Sequence, residues 1–269
     1  MHPMLNTAVK AARRAGNVIM RNVDRLERLT IETKGHNDFV TEVDRLVEAE
    51  VIDILRRAYP DHAILAEETG SQGESDYCWI IDPLDGTTNF LHSYPHYAVS
   101  IALRNKGRLE QGVVFDPQRN ELFTASRGQG AHLNDRRIRV SQTHDFKRAL
   151  LGTGFPFRSD EYLEAWIKIF RSLATEISGV RRAGSAALDL AHVACGRFDG
   201  FWEFGLHPWD MAAGCLLIEE AGGMVSDAVG GQDHLRTGQL VTGNPKLYPE
   251  LLRHVRANLP ADWNSGKPA

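Results

Sequence analysis

Apolar residues recur at helical spacing near the start of the chain, at Leu5, Ala8, Val9, Ala12, Ala15 and Ile19, and predict an amphipathic first helix. Its other face is basic: Lys10, Arg13, Arg14 and Arg21 precede the first acidic residue, Asp24. The periodicity favours a helix with a basic solvent face over an organelle transit peptide. "TEVDRLVEAEVIDILRRAYP" reads as a second helix, with Thr41 as cap and Asp44 at the third helical position. Val43, Leu46, Val47, Val51, Ile54 and Leu55 form its inner stripe, and Pro60 stops it. Two short strands follow, "AILA" ending in Glu67 and Glu68, and "YCWII" ending in Asp82.

From Tyr97 to Val140, short apolar runs alternate with Asn-Lys-Gly, Asp-Pro and Gly-Gln-Gly, the signature of an antiparallel meander. Beyond it the alternation lengthens: strand "ALLGTGF", helices "EYLEAWIKIFRSLATEI" and "SAALDLAHVACG", strand "FDGFWEF", helix "WDMAAGCLLIEEAGG", strands "GMVSD" and "QLVTG", and a last helix. Layers of sheet and helix in two unequal halves are expected: an N-terminal α+β half over 1–140, a C-terminal α/β half over 141–260, and a disordered polar tail over 261–269.

Composition narrows the function classes. The 269 residues carry a net charge of -4, which gives no general pull toward nucleic acid or anionic membranes. No apolar run approaches the roughly 20 residues of a membrane span. Cys78, Cys195 and Cys215 are widely spaced and contain no CxxC pair, so neither a disulfide framework nor a zinc cluster is suggested, and a cytoplasmic location is expected.

The densest chemistry lies in "WIIDPLDGTTNF", residues 79–90. Pro83 stiffens the backbone between Asp82 and Asp85. Two carboxylates about 4 Å apart repel by roughly 4 kcal/mol at an effective dielectric near 20, so a cation must offset them. An all-oxygen donor set favours a hard ion, Mg²⁺ before Zn²⁺. Gly86, Thr87, Thr88 and Asn89 can start a helix whose free N–H groups accept an anion. An isolated Asp-Gly would be read as a tight turn; the whole string is far more specific.

This string, the "EE" at 67–68 and "HPWDMAAGCLLIEEAGG" at 207–223 resemble the paired signatures of the inositol monophosphatase family, and the likeness runs from "DFVTEVD" at 38–44 to "TGNP" at 242–245. "RRAGSAALDLAHVACGRFDGFWEFGLHPWD" is similar to its bacterial SuhB-type branch. The resemblance implies a layered αβαβα sandwich and a Mg²⁺-dependent phosphatase that releases inositol and phosphate from inositol monophosphate by means of metal-activated water. It implies two to three Mg²⁺, with Glu67, Asp82, Asp85, Asp210 and the Leu84 carbonyl as ligands. Thr87, Asp44 and Glu67 are implied as the catalytic group, and Asp85, Gly86, Thr87 and Thr88 as the phosphate side. Gly184, Ser185, Ala186, Glu203 and Asp210 are implied to face the leaving group. Related enzymes with the same signature hydrolyse fructose 1,6-bisphosphate or the phosphate of 3'(2'),5'-bisphosphate nucleotides. Inhibition by Li⁺, a homodimer, and a transcription antitermination role through NusA and RNA polymerase also follow from the resemblance alone.

Plainer readings stand beside these. Asp44 and Asp210 can each be a helix-capping group. By the resemblance the ligand is Glu67, not Glu68. His92 and His96 have the spacing of a metal pair, but no glutamate follows His92 and Pro95 intervenes, so they read as loop or surface histidines. Gly128-Gln129-Gly130 reads as a hairpin turn, and Arg181 and Arg182 as either a solvated edge or a subunit contact.

Overall fold

The computed structural model describes residues 2–23, 31–35, 38–156, 160–261 and 263. The first helix, α1 (Pro3–Asn22), starts with proline where no N–H is needed, and buries Leu5, Ala8, Ala11, Ala12, Ala15 and Ile19. A hairpin of β1 (Ile31–Gly35) and β2 (Asp38–Thr41) leads into α2 (Glu42–Ala58).

An eight-stranded sheet follows, built from β3 (Ala63–Ala66), β4 (Gly70–Gln72), β5 (Tyr77–Asp85), β6 (Ala98–Asn105), β7 (Arg108–Asp116), β8 (Glu121–Ser126), β9 (Gly130–Leu133) and β10 (Arg136–Arg137). The short helix α3 (Thr87–Leu91) joins β5 to β6. The spatial order of the sheet is β10-β9-β8-β7-β6-β5-β3-β4; β6 to β10 are the expected meander, β5 joins it antiparallel to β6, and β3 runs parallel to β5.

The second half contributes β11 (Leu150–Thr153), α4 (Asp160–Leu173), β12 (Gly179–Arg181), α5 (Ala186–Ala194), β13 (Gly200–Phe204), α6 (Pro208–Glu220), β14 (Met224–Ser226), α7 (His234–Thr237), β15 (Gln239–Gly243) and α8 (Tyr248–Ala257). The five strands lie in the order β12-β11-β13-β15-β14.

Alternation along β5 shows how the layers assemble. Trp79 and Ile81 join the core under α1 and α2, while Cys78 and Ile80 join the one that contains α5 and α6. Both faces of β5 are therefore buried. α6 is apolar on every side, from Met211 through Ile218, because it lies between the two sheets. Leu151, Trp202 and Val241 on the far face of the second sheet pack with Ala165, Ile169, Leu251 and Val255 of α4 and α8. The result is the αβαβα sandwich.

Several details differ from the pattern read in the sequence. Leu46 is 56% exposed, and the inner face of α2 carries Asp44, Glu48 and Ile52 instead. Two polar residues on the buried side shift the apparent stripe. β5 continues past Asp82 to Asp85, α4 ends at Leu173, and only Arg136 and Arg137 of "RRIRV" pair as strand. His92 and His96 both lie in the loop between α3 and β6, as expected, with His92 exposed and His96 buried. Within the expected tail, Trp263 packs against Phe204 and Tyr162; residue 262 and residues 264–269 lie outside the described residues.

Candidate active site

The parallel pairing of β3 with β5 sets Ala66 opposite Ile81. The next residues, Glu67 and Asp82, consequently leave the C-terminal ends of neighbouring strands side by side. The Glu67 N–H donates to the Ile81 carbonyl at 3.1 Å and so prolongs the ladder by one bond.

Asp82 and Asp85 would face opposite sides of a regular strand, being three residues apart. Against β6, however, Asp82 stands opposite Ser100 and Asp85 opposite Ala98, with a register shift between them. The extra residue on β5 restores both carboxylates to one side, and Pro83 sits in the bulge where its missing N–H does no harm. The Leu84 N–H donates to Asp82 Oδ1 at 3.0 Å, fixing the first carboxylate over the bulge.

Gly86 then turns the chain into α3 with φ of 98°. A Cβ there would also stand 3.0 Å from the His96 carbonyl and 3.3 Å from that of Gly184. Thr87 Oγ1 lies 3.0 Å from Asp44 Oδ1 and 3.1 Å from the Leu84 carbonyl. Asp44 also accepts the Thr41 N–H at 2.8 Å in a capping box, so the capping role and the contact with Thr87 coexist in one carboxylate. Asp210 has the same duality: at the third position of α6 its Oδ2 accepts the His207 N–H at 2.6 Å.

Residues far along the chain close the site. Asp85 Oδ2 accepts from Ser185 Oγ at 2.6 Å and from the Ala187 N–H at 2.7 Å, at the start of α5. Asn89 Nδ2 lies within 2.7 Å of the His96 carbonyl, 2.9 Å of that of Ala183 and 3.2 Å of that of Gly184, tying α3 to the segment before α5. Glu203 projects from β13 over Gly154, where a Cβ would come within 1.9 Å of its carboxylate. Thr88 is exposed on α3.

The electrostatics are those of an anionic cluster. Burial pushes the Asp82 carboxyl well above its ordinary range, and Glu67, Asp85 and Asp210 push it in the same direction. Burial raises Asp85 to about 6 against hydrogen bonds from Ser185 and Ala187 that lower it. Asp210 is raised well up by burial and then by Asp85. Glu203 is raised to about 8 by burial, with Arg182 opposing.

Sequence reasoning missed Glu48, which holds the turn after Glu67, and the tie made by Asn89. The first had a signal: a carboxylate one helical turn beyond Asp44 on the face that carries Val47 and Val51. The second had none beyond its place in the 79–90 string.

The profile of the inositol monophosphatase family matches residues 1–259. The chain belongs to the inositol monophosphatase family. It is 55% identical over 266 residues to the protein named Nus factor SuhB of Pseudomonas aeruginosa, covering 97% of this chain and 98% of that one. The Nus factor SuhB of Escherichia coli K12 is 54% identical over 261 residues, with 96% and 98% covered. Among solved structures, the extragenic suppressor protein SuhB of Bartonella henselae superposes with a TM-score of 0.92 at 42% identity, covering 95% of this chain and 99% of that one. A Thermotoga maritima IMPase gives 0.86 at 34% identity, with 94% and 97% covered.

Members of this family imply a divalent cation, and the donor chemistry here fits one. The groups acting most strongly on Asp82 through space are other carboxylates, and buried mutual repulsion of this kind is relieved by a hard cation. Among the described residues, no three His, Cys, Asp or Glu side chains already form a closed metal-holding group.

Proposed function

We propose that the protein is a Mg²⁺-dependent phosphomonoesterase acting on inositol monophosphate and related small polyol phosphates. The observation that carries this reading is the convergence of Glu67, Asp82, Asp85 and Asp210 into mutually repelling carboxylates beside the Thr87–Asp44 pair. Those four side chains and the Leu84 carbonyl would hold two ions, with a third, weaker one beside Glu67. The chemistry that Mg²⁺ supplies when bound is neutralisation of phosphoryl charge and acidification of a water.

The chain's own part is orientation. Thr87 has one hydroxyl proton, directed to Asp44 or to the Leu84 carbonyl, and this leaves an Oγ1 lone pair to accept a proton from the attacking water. Asp44 is itself fixed by Thr41, so the Thr87 hydroxyl is held rather than free to rotate. The unpaired N–H groups at the start of α3, from Gly86 to Thr88, take the phosphate oxygens. Glu203, with the Gly184–Ala186 segment and Asp210, receives the hydroxyls of the leaving alcohol.

The test is phosphate release from inositol 1-phosphate, fructose 1,6-bisphosphate and 3'-phosphoadenosine 5'-phosphate, with and without Mg²⁺, for wild type and Asp85→Asn. Metal-dependent release by wild type alone, fastest on inositol 1-phosphate, is expected. Undiminished release by Asp85→Asn would sink the ligand assignment, and a faster rate on either bisphosphate would move the substrate class.

The relatives' name, Nus factor, favours a second role. We propose that the protein also joins a transcription complex, as a homodimer in the cytoplasm, with NusA as the contact. Capture of NusA by both wild type and Asp85→Asn would separate this role from catalysis; no capture by folded protein would remove it.

A further inference from the structure

The inner face of α2 carries two carboxylates one turn apart, and the function above engages only Asp44. Glu48 is 1% exposed, and both its oxygens are occupied by backbone: Oε2 accepts the Glu68 N–H at 2.8 Å and Oε1 the Thr69 N–H at 2.9 Å. These are the two residues that directly follow Glu67, in the turn between β3 and β4. The β3–β4 ladder closes this turn with Ala66 opposite Gly70, and Glu48 fixes the two amides at its tip. Beside it opens a groove of about 640 Å³ lined by Arg45, Ile52, Arg56, Thr69 and Gln72 among others. On its other side the ladder bond from the Glu67 N–H to Ile81 is the last before the chain turns.

The two N–H donors reach separate oxygens, Oε2 and Oε1, and a carboxylate accepts at both positions whereas an amide would set its NH2 against one of them. Charge makes both bonds short and strong. We infer that Glu48 is a positioning residue for the metal site: it fixes the turn so that the Glu67 carboxylate is presented beside Asp82 before any ion arrives. This rests on the reading of Glu67 as a ligand, and the test separates the two.

Mg²⁺ binding is measured by calorimetry on the full chain for wild type, Glu48→Gln, Glu67→Gln and Val51→Ala, with hydrogen exchange followed at the Glu68 and Thr69 amides. Val51 is fully buried on the same helix and serves as a control for stability alone. The expected result for Glu48→Gln is an affinity roughly 10-fold or more below wild type, the size usual for losing a partner that orients a ligand, together with faster exchange at the two amides. Glu67→Gln should weaken binding at least as much. Val51→Ala should lower Tm and leave Mg²⁺ affinity unchanged.

Wild-type affinity in Glu48→Gln alongside weakened binding in Glu67→Gln would overturn the inference alone. Wild-type affinity in both would overturn it together with the ligand assignment. An equal loss in Val51→Ala would reduce Glu48 to a stability role and overturn it as well. Glu48→Asp keeps the charge but withdraws it by one methylene, and carries the same comparison if the Gln variant does not fold; wild-type affinity there is equally decisive against it.

Discussion

Replacing Asp85 by Asn should make the metal-free protein more stable at neutral and alkaline pH while abolishing its activity. Burial raises this carboxyl from its ordinary 3.8 to about 6. The stability that goes with the protonated form is therefore complete below pH 3.8 and is lost as pH rises through about 6. At roughly 1.4 kcal/mol per decade, that gap puts the cost of the ionised form at about 3 kcal/mol by pH 8. Asn avoids it. Both hydrogen bonds at this position, from Ser185 and from Ala187, converge on Oδ2, so a single amide oxygen can accept them and the local geometry survives. For a chain of this size the gain corresponds to roughly 5–10 °C in Tm. The assay is thermal and urea unfolding of both proteins in a chelator at pH 4 and pH 8, then in Mg²⁺. The difference should be near zero at pH 4 and about 3 kcal/mol in favour of Asn at pH 8, on the order of the shift itself. Mg²⁺ should reverse the ranking, because ligand binding stabilises only the protein that retains the site. A variant less stable than wild type in chelator at pH 8, or a difference that does not grow with pH, would refute the idea that the fold buries the Asp85 carboxyl at the expense of its ionised form.

Thr87→Ala should lower kcat by about 100-fold, the scale of a misplaced nucleophile, with Mg²⁺ binding by calorimetry unchanged. Gly154→Ala places a methyl 1.9 Å from the Glu203 carboxylate and should displace it. KM for inositol 1-phosphate should then rise roughly 2- to 10-fold at neutral pH, the value of a hydrogen bond to an uncharged group, with an aryl phosphate far less affected. His96 is lowered by burial from 6.5 to about 4, and Asp189, 3.9 Å away, does not hold its proton because burial pushes that carboxyl well up as well. Its contribution to stability is complete above pH 6.5 and is lost as pH falls through about 4. His96→Gln should flatten that slope in urea unfolding between pH 7 and pH 4.

The layers and most strands were legible in the sequence because period-2 and helical patterns reflect burial directly, as at Trp79 to Ile81 and along α1. Reading failed where a polar residue is buried for a task. Asp44 and Glu48 occupy the inward side of α2, so the apolar pattern placed Leu46 inside when it faces water. His96 lies in the expected loop, but its burial was not legible, because nothing local reveals that the chain after α3 passes under α5, where the His96 and His192 rings lie 6.0 Å apart. The carboxylates themselves stood out as strand ends in charge. What could not be read from spacing is the bulge that turns Asp82 and Asp85 to one side, since the extra residue is defined only against β6.

The contacts of Asp85 with Ser185 and Ala187 span 100 and 102 residues of chain. In a protein made from its N-terminus, at about 5–20 residues per second, Asp85 emerges roughly 5–20 seconds before the segment that receives it. For that interval Glu67, Asp82 and Asp85 are present without α5 or α6, and no complete site exists to hydrolyse anything. Newly made chains therefore acquire their chemistry only when the second sheet and its helices have docked, which makes the onset of activity a direct report on completed assembly.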